Sequence, residues 1–133
     1  AIGSSELIAA LNRVKYSFNP YNVNRLSMVA GTAVMEDEDY FRACTAAVCS
    51  SRAWTVQELE KLGFTVLPSQ TNFIFAGTDA IPGGELYRRL KESGILVRWF
   101  DADRIRNFVR ITIGSQAQMT ALVNAIAGLL QNR

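Results

Sequence analysis

The sequence predicts an α+β domain: a small, mainly antiparallel sheet with helices packed on one side, preceded by helical segments. Three observations carry this reading. Apolar stripes at helical spacing fill the first sixty or so residues, and the first strand-like run begins only at Phe64. Four short runs rich in β-branched and aromatic residues follow. One compact helical pattern separates them into two pairs and another closes the chain, giving the order three helices, strand, strand, helix, strand, strand, helix.

Each element has a local cause. Ser4 is placed to cap a helix whose Glu6 falls in the favourable first turn and whose stripe is Leu7, Ile8, Leu11 and Val14. Asn19-Pro20-Tyr21-Asn22 breaks it. Residues 23–35 resume as a helix with apolar side chains round most of its circumference, so residues 1–35 are expected to contact a second domain or a second subunit. In the acidic run Glu36-Asp37-Glu38-Asp39, Asp37 is the expected N-cap of a long helix. Its stripe is Phe41, Cys44, Val48, Thr55, Leu59 and Leu62, it stops at Gly63, and Trp54 is read as packing.

Residues 64–67 and 71–76 are read as the first two strands, the second apolar enough to be central. Residues 77–84 form a loop without the spacing of a phosphate loop. A helix over 85–93, closed by Gly94, is followed by strands over 95–99 and 108–113. Ser115 and Gln118 form a capping box for the last helix, whose stripe is Met119, Leu122, Val123, Ile126, Leu129 and Leu130. The 133 residues thus read as a single domain, with 1–35 a helical segment and 36–133 the α+β body.

Composition narrows the function. The chain is 49% hydrophobic, enough to bury a core without staples. Its 14 basic and 12 acidic residues are interspersed, with no basic stripe to track a nucleic acid. There is no histidine, which argues against a zinc site or a histidine-based catalytic dyad. Cys44 and Cys49, five apart on a helix, point to different faces, so neither a local disulfide nor a metal site is expected, and free thiols suit a cytoplasmic protein. No apolar run reaches membrane-spanning length and no signal peptide is visible. The chain begins without Met, which points to a piece of something longer.

The stretch with most chemical content is Phe108-Val109-Arg110-Ile111-Thr112-Ile113-Gly114-Ser115. Strict alternation puts Arg110 in mid-strand, where its planar fork can be aimed at a carboxylate or phosphate. The same alternation also suits an arginine on a solvated sheet face. Arg98 falls on the preceding strand, and a hairpin-like connection over residues 100–107 would bring the two guanidinium groups together.

Three blocks, in this order and spacing, resemble the C-terminal part of the histidinol-phosphate aminotransferase family. They are Leu62-Gly63-Phe64 running on to Pro68-Ser69-Gln70-Thr71-Asn72-Phe73, then Gly94-Ile95-Leu96-Val97-Arg98, then Val109-Arg110-Ile111-Thr112-Ile113-Gly114. Pro20-Tyr21-Asn22-Val23 and Ala1-Ile2-Gly3 are similar to the family too, so the likeness runs through essentially the whole chain. The resemblance implies the C-terminal small domain of a pyridoxal-phosphate enzyme that exchanges an amino group between glutamate and a phosphorylated imidazole keto compound. Arg110 would grip the substrate's acidic group and Arg98 its phosphate, while Asn72 would support structure. It also implies a homodimer.

One departure from the family pattern bears on activity. The family's cofactor-holding lysine stands in a Ser-x-x-Lys setting, shortly before Ala-Gly-x-Arg-x-Gly-Tyr, which Ala1-Ile2-Gly3 resembles the continuation of. Lys15, Lys61 and Lys91 are the only lysines, all on expected helices and none in that setting. The resemblance therefore implies a large domain upstream and an isolated chain without activity. No residue here is expected to be catalytic, to hold the cofactor or to ligate a metal. Two other readings stand beside this one: a pyridoxal-phosphate decarboxylase acting on a phosphorylated amino acid, and a non-catalytic α+β binding module.

Overall fold

The structure is a computed structural model that describes residues 2–18 and 21–131. It divides into two compact units, residues 1–41 and 42–133. The first holds α1 (Ser5–Phe18) and α2 (Arg25–Glu36). Ser4 Oγ accepts the Leu7 N–H at 3.3 Å, the expected cap. Pro20 and Asn19 lie outside the described residues. α2 starts two residues later than its apolar pattern suggests, because Asn24 is the better cap: extended at φ −79°, it accepts the Ser27 N–H at 2.9 Å. Neither helix buries a residue within this unit's structure.

Asp37 serves two helices. Its N–H closes α2 by donating to Ala33 O at 3.1 Å, and its Oδ1 opens α3 (Glu38–Lys61) by accepting the Tyr40 N–H at 3.1 Å. In the second unit α3 turns Ser51, Thr55 and Leu59 to the core. Thr55 tolerates complete burial because its hydroxyl donates to the backbone carbonyl of Ser51, one turn earlier, at 2.7 Å. Phe41 and Cys44, read as part of the same stripe, are exposed, since the core begins only near Val48. Trp54 packs on the core as expected.

Beyond Gly63, at φ +82°, the chain forms β1 (Thr65–Leu67), β2 (Phe73–Gly77), α4 (Gly83–Glu92), β3 (Arg98–Trp99), β4 (Phe108–Thr112) and α5 (Gln116–Gln131). The sheet order is β1-β2-β4-β3 and every pairing is antiparallel, so β2 is interior as its sequence predicts. Ile74, Ala76, Val109 and Ile111 point to one side, where Leu59, Leu86, Leu90, Met119, Leu122 and Ile126 cover them. The α+β class, with helices on one face, is what the sequence predicts. The capping box of α5 is present, with Ser115 N–H donating to Gln118 Oε1 at 2.9 Å and Gln118 N–H to Ser115 Oγ at 3.4 Å.

Several boundaries differ, β2 among them, which runs Phe73–Gly77 instead of 71–76. β3 is two residues long instead of five. The chain leaves α4 through Gly94, at φ +77°, with the Ile95 N–H bound to Leu90 O at 2.9 Å, so the helix end, not the sheet, sets the path of residues 95–97. α4 begins at Gly83, two residues early, because Pro82 pre-sets the turn at φ −58°.

Candidate functional site

The alternation that buries Val109 and Ile111 places Phe108, Arg110 and Thr112 on the sheet's other face. Register fixes their neighbours. Phe73 pairs with Thr112 and Phe75 with Arg110 across β2 and β4, and Arg98 pairs with Arg110 across β3 and β4. The two arginines therefore converge on one face, in adjacent strands, as the hairpin reading anticipates. Arg110 is half-buried and Arg98 exposed.

The surroundings are aromatic. The Arg110 guanidinium carbon lies 5.4 Å from the centre of the Phe73 ring and 5.9 Å from that of Phe100, and the Arg98 carbon lies 5.1 Å from Phe100. Each such contact is worth about 0.5–1 kcal/mol where solvent has access. Phe75 stacks on Phe108 with ring centres 5.2 Å apart. Among the described residues no carboxylate lies within ion-pair distance of either arginine. Their donors are left for a ligand, and two adjacent guanidinium forks suit a phosphate or a carboxylate.

The connection over residues 100–107 is held from both ends. Trp99 Nε1 donates to Arg106 O at 2.7 Å, and the Arg106 guanidinium pairs with Asp103 and Asp101. Gly83 lets the connection approach α4, since a Cβ there would come within 2.5 Å of Arg106 O. Beside the aromatic face, Leu67, Pro68, Ser69, Thr71, Phe73 and Phe75 line a cleft of about 320 Å³. Its rim is stiffened by the Ser69 hydroxyl, which donates to Phe73 O at 2.5 Å. A second hollow of about 390 Å³, between residues 94–97 and α5, is lined by no ionisable side chain.

Phe73, Phe75, Phe100 and Phe108 were not legible as site residues. The signal was there in Asn72-Phe73-Ile74-Phe75-Ala76, whose two aromatics alternate with the buried positions, but a uniformly apolar run hides which face is which. Asn72 uses its backbone structurally: its carbonyl accepts the Ile113 N–H at 2.8 Å, extending the ladder past β4.

Residues 1–126 match the family described as aminotransferase class I and II. The chain belongs to that family. Over 130 residues this aminotransferase-family chain is 42% identical to the histidinol-phosphate aminotransferase of Clostridium botulinum (strain Okra / Type B1), covering 98% of this chain and 37% of that protein. Its fold is similar to the crystal structure of the histidinol-phosphate aminotransferase from Clostridium acetobutylicum, with a TM-score of 0.73 and 27% identity, over 96% of this chain and 39% of the other. The Sinorhizobium meliloti histidinol-phosphate aminotransferase in complex with pyridoxal-5'-phosphate gives a TM-score of 0.74 at 25% identity, over 92% of this chain and 33% of the other. The chain thus spans less than two fifths of the length of these relatives.

The residues present do not by themselves fit covalent attachment of pyridoxal phosphate, which needs an amine. Lys61 is paired with Glu58 on α3, and Lys91 sits 6.0 Å from the Tyr87 ring on α4, against the opposite side of the sheet from the arginines. Lys15 belongs to α1 and lies 5.6 Å from the Tyr16 ring. Among the described residues no three metal-ligating side chains cluster, and no helix is long and apolar enough to cross a membrane.

Proposed function

We propose that this chain is the substrate-gripping C-terminal domain of a pyridoxal-phosphate-dependent aminotransferase of the histidinol-phosphate type. The observation that carries the proposal is the in-register pair Arg98 and Arg110 on the face of the sheet turned away from the core. Arg110 takes the substrate's acidic group, and Arg98 contributes to holding its phosphate. The aromatic floor fixes the forks, so the anion is oriented on binding and little ordering cost remains. Pyridoxal phosphate supplies the electron sink for amino-group exchange. Its attachment and the proton transfer belong to residues outside these 133, and the isolated chain is inactive on this reading.

In the same reading, α1 and α2 meet the rest of the enzyme or its homodimer partner. Leu26 and Met35, 82% and 73% exposed, are the side chains such a contact would cover. The enzyme works in the cytoplasm, where Cys44 and Cys49 stay reduced.

The test is a transamination assay on the complete enzyme with histidinol phosphate and 2-oxoglutarate, run beside Arg110→Ala. Glutamate formation that fails in the variant supports the reading. Release of carbon dioxide from a phosphorylated amino acid, with no oxo-acid partner required, replaces it with a decarboxylase.

A further inference from the structure

Resting on the reading of Arg98 and Arg110 as the substrate's anion grip, the geometry points to Phe100 as the positioning residue that holds both guanidinium groups on one anion. Like charges directly opposite on neighbouring strands repel, and Arg98 and Arg110 are placed that way with no carboxylate of the described residues in ion-pair reach. Among the described residues the Phe100 ring is the aromatic contact both share, 5.1 Å from the Arg98 carbon and 5.9 Å from the Arg110 carbon. Its π face attracts each cation without accepting a conventional hydrogen bond, so the N–H edges stay open to the ligand. A carboxylate in the same place would also hold the arginines, and would compete with the substrate for their donors.

The ring is itself held. Phe100 directly follows Trp99, whose indole is tied to Arg106 O, and Arg106 is in turn paired with Asp101 and Asp103. The two arginines depend on it unequally. Arg110 has a second ring, Phe73 at 5.4 Å, whereas among the described residues Arg98 stacks on Phe100 alone. Loss of Phe100 should therefore release Arg98 first.

The experiment uses the complete enzyme containing this chain, loaded with cofactor so that the cofactor's own phosphate subsite is filled. Inorganic phosphate binding is measured by calorimetry, and KM and kcat with a phosphorylated substrate, for Phe100→Leu, Phe100→Tyr, Arg98→Ala and Arg110→Ala. Leucine fills comparable space, so a ring that only packed would tolerate it, whereas tyrosine keeps the π face. We expect Phe100→Leu to weaken phosphate binding about three- to tenfold and to raise KM similarly, with kcat at saturation retained, and Phe100→Tyr to restore both. Phe100→Met is the parallel variant if the leucine protein does not accumulate. Arginine variants that lose phosphate while Phe100→Leu keeps it overturn the proposal, as does equal failure of the leucine and tyrosine variants. Arginine variants that bind phosphate like the parent overturn the anion-grip reading itself, and the role of Phe100 with it.

Discussion

Arg98 and Arg110 are direct partners across the β3–β4 ladder, so two positive charges stand side by side on the open face of a sheet whose other face is fully packed. Such a pair is unfavourable in isolation and becomes favourable when an anion bridges it.

Replacing Arg110 with Ala in the complete enzyme should lower kcat/KM for anionic substrates by several kcal/mol, about 2–4, the scale of a lost charge-assisted bidentate contact. Arg98→Ala should cost less, because its side chain is more exposed. The double variant should lose less than the sum, since one anion serves both partners. Steady-state kinetics with phosphorylated and unphosphorylated substrates reads all three.

The pH dependence should come from the ligand. The residues grouped around the pair, Phe73, Phe75, Phe100, Phe108 and Thr112, carry no titratable side chain. A phosphate monoester loses its second proton near pH 6, so the advantage of the parent over Arg110→Ala should grow as pH rises through about 6 and then level off. Binding measured for both proteins from acid to neutral pH checks the ratio.

Gly83→Ala places a methyl group within 2.5 Å of Arg106 O, a backbone atom that cannot swing aside. The 100–107 connection must shift, so the variant should lose stability and anion affinity together. Gly128→Ala, on α5 with open space around it, should leave affinity unchanged and gain a few tenths to 1 kcal/mol of stability. Denaturant unfolding paired with phosphate titration separates the two.

Ile126→Ala and Leu59→Ala remove fully buried side chains where α5 and α3 meet the sheet. Each should cost about 2–5 kcal/mol in urea unfolding, with the midpoint moving and kinetics under folding conditions little changed.

Expressed alone, residues 1–133 should self-associate or bind an apolar dye, because α1 and α2 bury nothing and expose Leu26, Met28, Val29 and Met35. Sedimentation at several concentrations reads this. A clean monomer would favour the binding-module reading.

Much of the fold is legible in the sequence. Ser4, Asp37 and the Ser115–Gln118 box cap their helices as the residue types demand, and the alternation of 108–113 buries Val109 and Ile111 while turning Arg110 outward. Convergence of Arg98 with Arg110 followed from a hairpin-like connection. The length of β3 did not, because residues 95–97 have strand-like composition and their path is set by the end of α4. Nor did the aromatic floor. Register between β2 and β4, separated by some thirty residues, brings Phe73 and Phe75 beside Arg110 and Thr112, and no local pattern encodes that pairing.

The indole of Trp99 is joined to Arg106 O, lies 6.4 Å from the Tyr87 ring and directly precedes Phe100, whereas the only other tryptophan, Trp54, packs on the core from α3. The chain thus carries two optical gauges in different places. With Trp54→Phe, the remaining emission watches the arginine pair's supporting loop while an anion arrives, and with Trp99→Phe it watches only whether the core is intact.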